Sequence, residues 1–220
     1  MGITTLVIAT RNVHKAQEIR QILGPDFRYL TLRDFAGAPE VIEDASTFEG
    51  NAQKKVWSLA RWLEEHPADL PTTTSCYIVA DDSGLEVDAL EGAPGVLSAR
   101  FAADEVRVAG NAPDTANNAK LLRLLAGQPA AGKAARFRCV LAVARLGLSA
   151  EQPVFFEGVC EGRINDNPAG EDGFGYDPLF VPAGRTQSFA QLGAEEKNKF
   201  SHRARALGKL NAWIKTSPPP

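Results

Sequence analysis

Tyr77-Ile78-Val79-Ala80-Asp81-Asp82-Ser83-Gly84-Leu85 is the stretch on which the fold turns. Its first four residues form a short apolar run that suits a buried strand. The run leads directly into two carboxylates, a hydroxyl and a glycine. Proteins of α/β type gather ligands where strands end, although Asp-Asp-Ser-Gly also suits an ordinary turn. Adjacent aspartates at a strand end point in different directions, so only one need face a cation. A carboxylate placed there suits a hard ion such as Mg2+, which accepts one or two carboxylates, keeps several waters and takes phosphate oxygens as further ligands.

Upstream of this stretch, residues 3–9 read as a buried strand and residues 15–23 as a helix, with Ala16, Ile19, Ile22 and Leu23 in helical spacing. Gly24-Pro25 stops that helix, and residues 27–32 read as a second strand. Ser46-Thr47-Phe48-Glu49 has the form of a capping box with Ser46 as N-cap. Ala52, Val56, Leu59, Ala60 and Leu63 then line one helical face.

Downstream, Gly92-Ala93-Pro94-Gly95 is a turn, and Asp114 is placed to cap a helix carrying Leu121, Leu122 and Leu125. Residues 137–146 and 154–164 read as two long strands, 165–175 as a loop and 195–214 as the last helix. Strand and helix alternate, but two long strands exceed what a simple doubly wound fold needs. The expectation is an α/β protein built on a long, twisted mixed sheet with flanking helices. A single domain should cover residues 1–215, with 216–220 a disordered tail.

Composition excludes several classes. Hydrophobic residues make up 44% and charged residues 23%, which is ordinary for a globular chain. At 220 residues the chain is long enough to bury roughly 70% of its unfolded surface. No apolar run reaches the ~18 residues of a membrane span, and the first strand is too short for a secretion signal. The reading is a cytoplasmic protein without a membrane partner. The net charge of -3 lacks the basic excess of a nucleic-acid binder, so no nucleic-acid partner is expected. Cys76, Cys139 and Cys160 are odd in number and far apart, which reads as buried free thiols.

Four further polar segments sit where apolar elements end. Thr10-Arg11-Asn12-Val13-His14-Lys15 joins the first strand to the first helix. A helix N-terminus offers free N–H groups to an anion, and Lys15 adds a full charge. It lacks the glycines of a P-loop. Glu43-Asp44 adds carboxylates ahead of the second helix. In Gly173-Phe174-Gly175-Tyr176-Asp177-Pro178, the glycines let backbone approach a flat ligand. Phe174 is placed to stack on a base, worth about 1–3 kcal/mol, and Asp177 to accept from a base N–H. Lys197 and Ser201-His202-Arg203 gather cations near the last helix. Taken singly, each has a plain structural explanation as a turn or a solvated helix face.

In this order the segments closely resemble the inosine triphosphate pyrophosphatase family, the deaminated-purine nucleoside triphosphate pyrophosphatases. Its T-x-N-x-x-K loop, acidic pair, D-D-S-G-L, F-G-Y-D-P and S-H-R all find matches, from Leu6 to about Trp213. Thr47-Phe48 through Asn51-Ala52, Gly92-Ala93-Pro94-Gly95, Ser98-Ala99-Arg100 and Arg136-Phe137 extend the likeness.

The resemblance implies an elongated mixed sheet, two lobes around a central cleft, and a homodimer. It implies hydrolysis of ITP, dITP and XTP to the monophosphate and pyrophosphate, with Mg2+ as cofactor and Mn2+ able to substitute. Thr10, Asn12 and Lys15 would grip the triphosphate within the loop that also holds Arg11, Val13 and His14. Asp82 would be catalytic base and metal ligand, Glu43 (which fits better than Asp44 by spacing) the second metal ligand, and Ser83 a substrate contact. Phe174, Gly175, Tyr176 and Asp177 would form the base pocket. Lys197, His202 and Arg203 would supply base and phosphate contacts, with Lys15 and Lys197 neutralising the leaving pyrophosphate. The rival readings are a related pyrophosphatase for modified or pyrimidine triphosphates and an inactive nucleotide-binding module. The complete acidic set of Glu43, Asp81 and Asp82 weighs against the latter.

Overall fold

A computed structural model describes residues 3–67, 75–129, 133–147 and 151–216. Its strands are β1 (Thr4–Ile8), β2 (Phe27–Thr31), β3 (Cys76–Val87), β4 (Ala134–Arg145), β5 (Val154–Ile164) and β6 (Phe180–Pro182). Its helices are α1 (Val13–Leu23), α2 (Phe48–Glu65), α3 (Ala103–Val106), α4 (Asp114–Leu124), α5 (Phe189–Phe200) and α6 (His202–Thr216). The six strands form one sheet in the order β2-β1-β3-β4-β5-β6. β1 pairs in parallel with β2 and β3, whereas β5 and β6 are antiparallel, so the sheet is mixed as expected.

The chain divides into two compact units. The first comprises Met1–Asp82, Cys139–Gly158 and Ala204–Pro220, and the second Ser83–Arg138 and Val159–Arg203. The strands β3, β4 and β5 each contribute to both.

In the first unit, the period of two along β1 sorts side chains to the two sheet faces. Leu6 and Ile8 join Tyr77, Val79 and Cys139 in a core with Ile19 of α1 and Leu207 and Leu210 of α6. Val7 and Ala9 join Ile78 and Ala80 in a second core with Val56, Leu59 and Ala60 of α2. The second unit has its own core, in which Leu85, Phe137, Ile164, Leu179 and Phe180 pack with Leu121 of α4 and Phe189 of α5.

Several element boundaries differ from expectation. β3 does not stop at Ala80 but continues through Asp81-Asp82-Ser83-Gly84 to Val87, so the acidic run is strand and not turn. The N-cap of α2 is Thr47, whose hydroxyl accepts from the Gly50 N–H at 3.0 Å, and not Ser46. Asp114 is the first residue of α4, with Pro113 at the cap. The last helix is two helices broken at Ser201 (φ -61, ψ 166), which sets Lys197 on α5 and His202-Arg203 at the start of α6. Thr216, expected in the tail, ends α6. The remainder of that tail, 217–220, lies outside the described residues. Cys76, Cys139 and Cys160 are buried free thiols.

Candidate active site

The expected site residues fall into two groups, one in each unit. Thr10 to Lys15, Glu43 and Asp82 belong to the first. Ser83, Phe174 to Asp177, Lys197, His202 and Arg203 belong to the second. The chain passes from one unit to the other between Asp82 and Ser83, consecutive residues of β3.

In the first unit, the turn after β1 is built by its own side chains. The Thr10 hydroxyl accepts from the Asn12 N–H at 3.1 Å. Asn12 is the N-cap of α1, its Oδ1 accepting from the Lys15 N–H at 3.1 Å. A capped helix start beside a lysine suits an anion. Val13 and His14 occupy the first turn of α1 and are exposed. Arg11 turns away toward the 38–40 loop, where its guanidinium donates to the Ala38 carbonyl at 2.9 Å. Lys15 is not the solvated lysine of an ordinary turn. Its ammonium lies 2.8 Å from Asp81 Oδ1, and the Asp81 side chain is 1% exposed.

Alternation along β3 separates the two aspartates. Asp81 follows Tyr77 and Val79 onto the α1 face, meeting Lys15 and the Cys139 thiol, which donates to Oδ2 at 3.3 Å. Asp82 follows Ile78 and Ala80 onto the α2 face. There Lys55 Nζ donates to Asp82 Oδ1 at 2.9 Å and Asn51 Nδ2 donates to Oδ2 at 3.2 Å. The same Lys55 ammonium reaches Glu43 Oε2 at 3.2 Å and the Asp81 carbonyl at 2.8 Å. Glu43 and Asp82 thus converge on one cationic group. Asp44 instead pairs with Lys54 on the surface.

Burial raises the Asp82 carboxyl above its ordinary value, opposed by the charges of Lys55 and Lys15 and assisted by that of Glu43. For Glu43, burial also acts upward, but Lys55, Lys15 and hydrogen bonds from Asp82 and Lys55 outweigh it and the net shift is downward. The pair is thereby split into one carboxylate that stays ionised and one that holds a proton more readily, the division expected when two acids share a site.

Two converging carboxylates suit a hard divalent cation, and the ammonium between them shows that the pocket already accommodates positive charge. Among the described residues no three His, Cys, Asp or Glu side chains gather, a donor set unlike that of a structural zinc site.

Lys55 escaped the sequence reading, and Asn51, within the Thr47–Ala52 likeness, was given no site role. They lie four apart on α2, beside the apolar line of Ala52 and Val56. Lys55 is 8% exposed and Asn51 0%. A lysine one position from a buried valine was the available signal.

In the second unit, the Phe174 loop is fixed at several points. The Phe174 N–H donates to Asp177 Oδ2 at 3.0 Å, and Lys197 Nζ donates to the same oxygen at 2.6 Å. A Cβ on Gly173 would lie 2.2 Å from Asp177 Oδ2, so only glycine fits there. The Tyr176 hydroxyl donates to the Ser98 carbonyl at 2.9 Å. Lys197 also stands 5.0 Å from the Phe174 ring centroid and 5.4 Å from that of Phe189. The Asp177 carboxylate thus helps to shape the loop, and the Lys197 ammonium is shared between that carboxylate and the Phe174 and Phe189 rings.

Arg203 is 1% exposed, donates to Ser83 Oγ at 2.8 Å and places its guanidinium carbon 5.9 Å from the Phe174 centroid. His202 lies flat on Phe137, with centroids 4.7 Å apart and planes 13° apart. The second unit therefore carries an aromatic ring flanked by buried cations, and the first a carboxylate pair, Asp82 buried and Glu43 half-exposed, flanked by lysines.

The chain is similar to several known proteins along nearly its whole length. A family model described as the Ham1 family matches residues 6–213. The chain is 42% identical over 209 residues to a dITP/XTP pyrophosphatase of Shouchella clausii, covering 95% of this chain and 96% of that one. It is 46% identical over 208 residues to a dITP/XTP pyrophosphatase of Geobacter sulfurreducens, covering 94% of each. Among solved structures, a HAM1 protein from Coxiella burnetii superposes with a TM-score of 0.80 at 32% identity, over 97% of this chain and 100% of that one. A nucleoside-triphosphatase, or dITP/XTP pyrophosphatase, from Mycobacterium abscessus gives 0.68 at 38% identity, over 94% and 98%.

Proposed function

This chain belongs to the Ham1 family, and from that premise we propose that it hydrolyses deaminated purine nucleoside triphosphates (ITP, dITP and XTP) to the monophosphate and pyrophosphate. The observation that carries the proposal is the convergence of Glu43 and Asp82 on Lys55, beside the Lys15–Asp81 pair. A buried Asp82 joined by a half-exposed Glu43 and wrapped in lysines suits a metal and a polyphosphate better than it suits a structural core, because buried charge is costly to keep.

Glu43 and Asp82 would hold Mg2+, or Mn2+ in its place. When bound, the cation polarises phosphate and lowers the pKa of a coordinated water. The remaining steps belong to side chains of this chain. Lys15 and the start of α1 bind and orient the triphosphate. Asp82, whose carboxyl burial pushes upward, accepts a proton from the attacking water. A bond forms from that water oxygen to the α-phosphorus as the bond from the α-phosphorus to the bridging oxygen breaks, and pyrophosphate leaves with the electron pair. Lys15 offsets the charge that develops on it.

Base selection is assigned to the second unit. Hypoxanthine and xanthine present an acceptor at O6 and a donor at N1, and adenine reverses both. Arg203, with His202, donates to O6 while Phe174 stacks on the ring. ATP would set its amino group against donors, a mismatch that supports discrimination of ~10^4 or more. The same reading carries a homodimer and a cytoplasmic nucleotide pool as its setting. Among the described residues no helix is long and apolar enough to cross a membrane. The test is product identification by phosphorus NMR with ITP and Mg2+. IMP and pyrophosphate are expected in equal amounts. IDP and orthophosphate would move the attack to another phosphorus and refute the scheme.

A further inference from the structure

We propose that Asp114 and Asn118 of α4 are positioning residues that clamp the Phe174 loop and so set how tightly the purine base is held. The inference deepens the proposed function and rests on its assignment of Phe174 as the stacking platform.

Phe174 stands between two glycines in the left-handed region, Gly173 at φ +82 and Gly175 at φ +62. Glycine places little restraint on backbone rotation, so sequence-local forces alone do not fix the direction of the Phe174 ring. Asp177 secures the N-terminal side by accepting the Phe174 N–H. The C-terminal side is secured from α4. Asp114 Oδ2 accepts the Gly175 N–H at 2.6 Å, and Asn118 Nδ2 donates to the Gly175 carbonyl at 3.1 Å. Both polar groups of a single glycine are therefore engaged by side chains of one helix. Asp114 and Asn118 are four residues apart and share a face of α4.

The platform behind the clamp is itself anchored. Asn117 is 2% exposed, its Oδ1 accepts the Ala102 N–H at 2.8 Å, and its Nδ2 donates to the Ala99 carbonyl at 3.2 Å. Leu121, fully buried, ties α4 into the core of the second unit. A rigid helix thus holds the tip of a glycine-flanked loop, the arrangement by which supporting residues fix a binding group. Asp114 and Asn118 hold Gly175 of the second unit, whereas Glu43, Asp82 and Lys15 belong to the first, so their removal should act on base binding and leave the phosphate chemistry standing.

The experiment measures KM and kcat for ITP in Asp114→Ala, Asn118→Ala, Phe174→Ala, and Asp114→Ala combined with Phe174→Ala, with melting temperatures as a check on folding. Each clamp variant should raise KM by about tenfold, the worth of one or two hydrogen bonds, with a smaller change in kcat. Asp114→Asn retains an acceptor for the Gly175 N–H and should recover part of the loss. Once Phe174 is alanine, removing Asp114 should cost nothing more in KM, whereas a general loss of structure would add its full effect. Asn118→Ala leaves the start of α4 intact and decides the matter if Asp114→Ala fails to fold. Should Phe174→Ala raise KM while folded clamp variants remain within twofold of wild type, the clamp is refuted and the stacking role stands. Should Phe174→Ala leave KM unchanged, the base assignment falls and the clamp falls with it.

Discussion

Asp81 and Asp82 are neighbours in sequence, and the strand gives them different partners. Asp81 takes Lys15 and the Cys139 thiol, and Asp82 takes Lys55, Asn51 and the company of Glu43. Asp82 combines a raised carboxyl with a second acid that shares its cation, Lys55. Asp82→Asn should therefore lower kcat for ITP at least ~100-fold, the weight of one general base, with folding retained as judged by circular dichroism. Near-wild-type turnover in that folded variant would remove Asp82 from the chemistry. Arg203 makes a claim of a different kind, since it concerns the ratio of two rates. Arg203→Ala should depress ITP hydrolysis much more than the residual hydrolysis of ATP, because only ITP gains from a donor at O6. An equal fall for both nucleotides would make Arg203 a phosphate or structural contact.

At the scale of elements, β3 shows what a local reading captures and what it misses. The apolar run of 77–80 is plainly a strand, and β5 spans Val154–Ile164, the range expected for it. Asp81-Asp82-Ser83-Gly84 looks like a turn because charge and glycine are poor strand formers. It stays in the sheet because lysines from α1 and α2, remote in sequence, neutralise it. That compensation is tertiary and leaves no local mark. Lys55 was overlooked for the same reason, as a lysine on a helix ordinarily faces water. The break at Ser201 carries neither glycine nor proline, so the periodicity of the last two helices reads as continuous. The family motifs, by contrast, were legible because glycines, carboxylates and cations recur at fixed order along the chain. The start of β3 also bears on stability. Burial pushes the Cys76 thiol up to about 11. The folded protein favours the neutral thiol, so its contribution is complete below the unfolded value of 9.0 and is lost as pH rises through about 11. Melting temperature should decline across that window, and Cys76→Ala should flatten part of the decline. An identical decline in both proteins would assign the alkaline loss to other groups.

For the whole molecule, the Glu43 and Asp82 carboxylates and the start of α1 lie in one compact unit and the Phe174 ring with its buried cations in the other, with Asp82 and Ser83 adjacent on the strand that contributes to both. Under the proposed function, the phosphate chemistry falls to the first unit and base selection to the second, so the activity would require both. A protein that used only the first would hydrolyse triphosphates without regard to the base. One that used only the second would bind nucleosides without turnover. The measurement that separates these cases is pyrophosphate release, at equal concentration with Mg2+, from ITP, dITP, XTP, ATP, GTP and dUTP. The account predicts rapid release from ITP, dITP and XTP, and rates for ATP and dUTP lower by about a hundredfold or more. Comparable rates across all six, or a preference for dUTP, would contradict it.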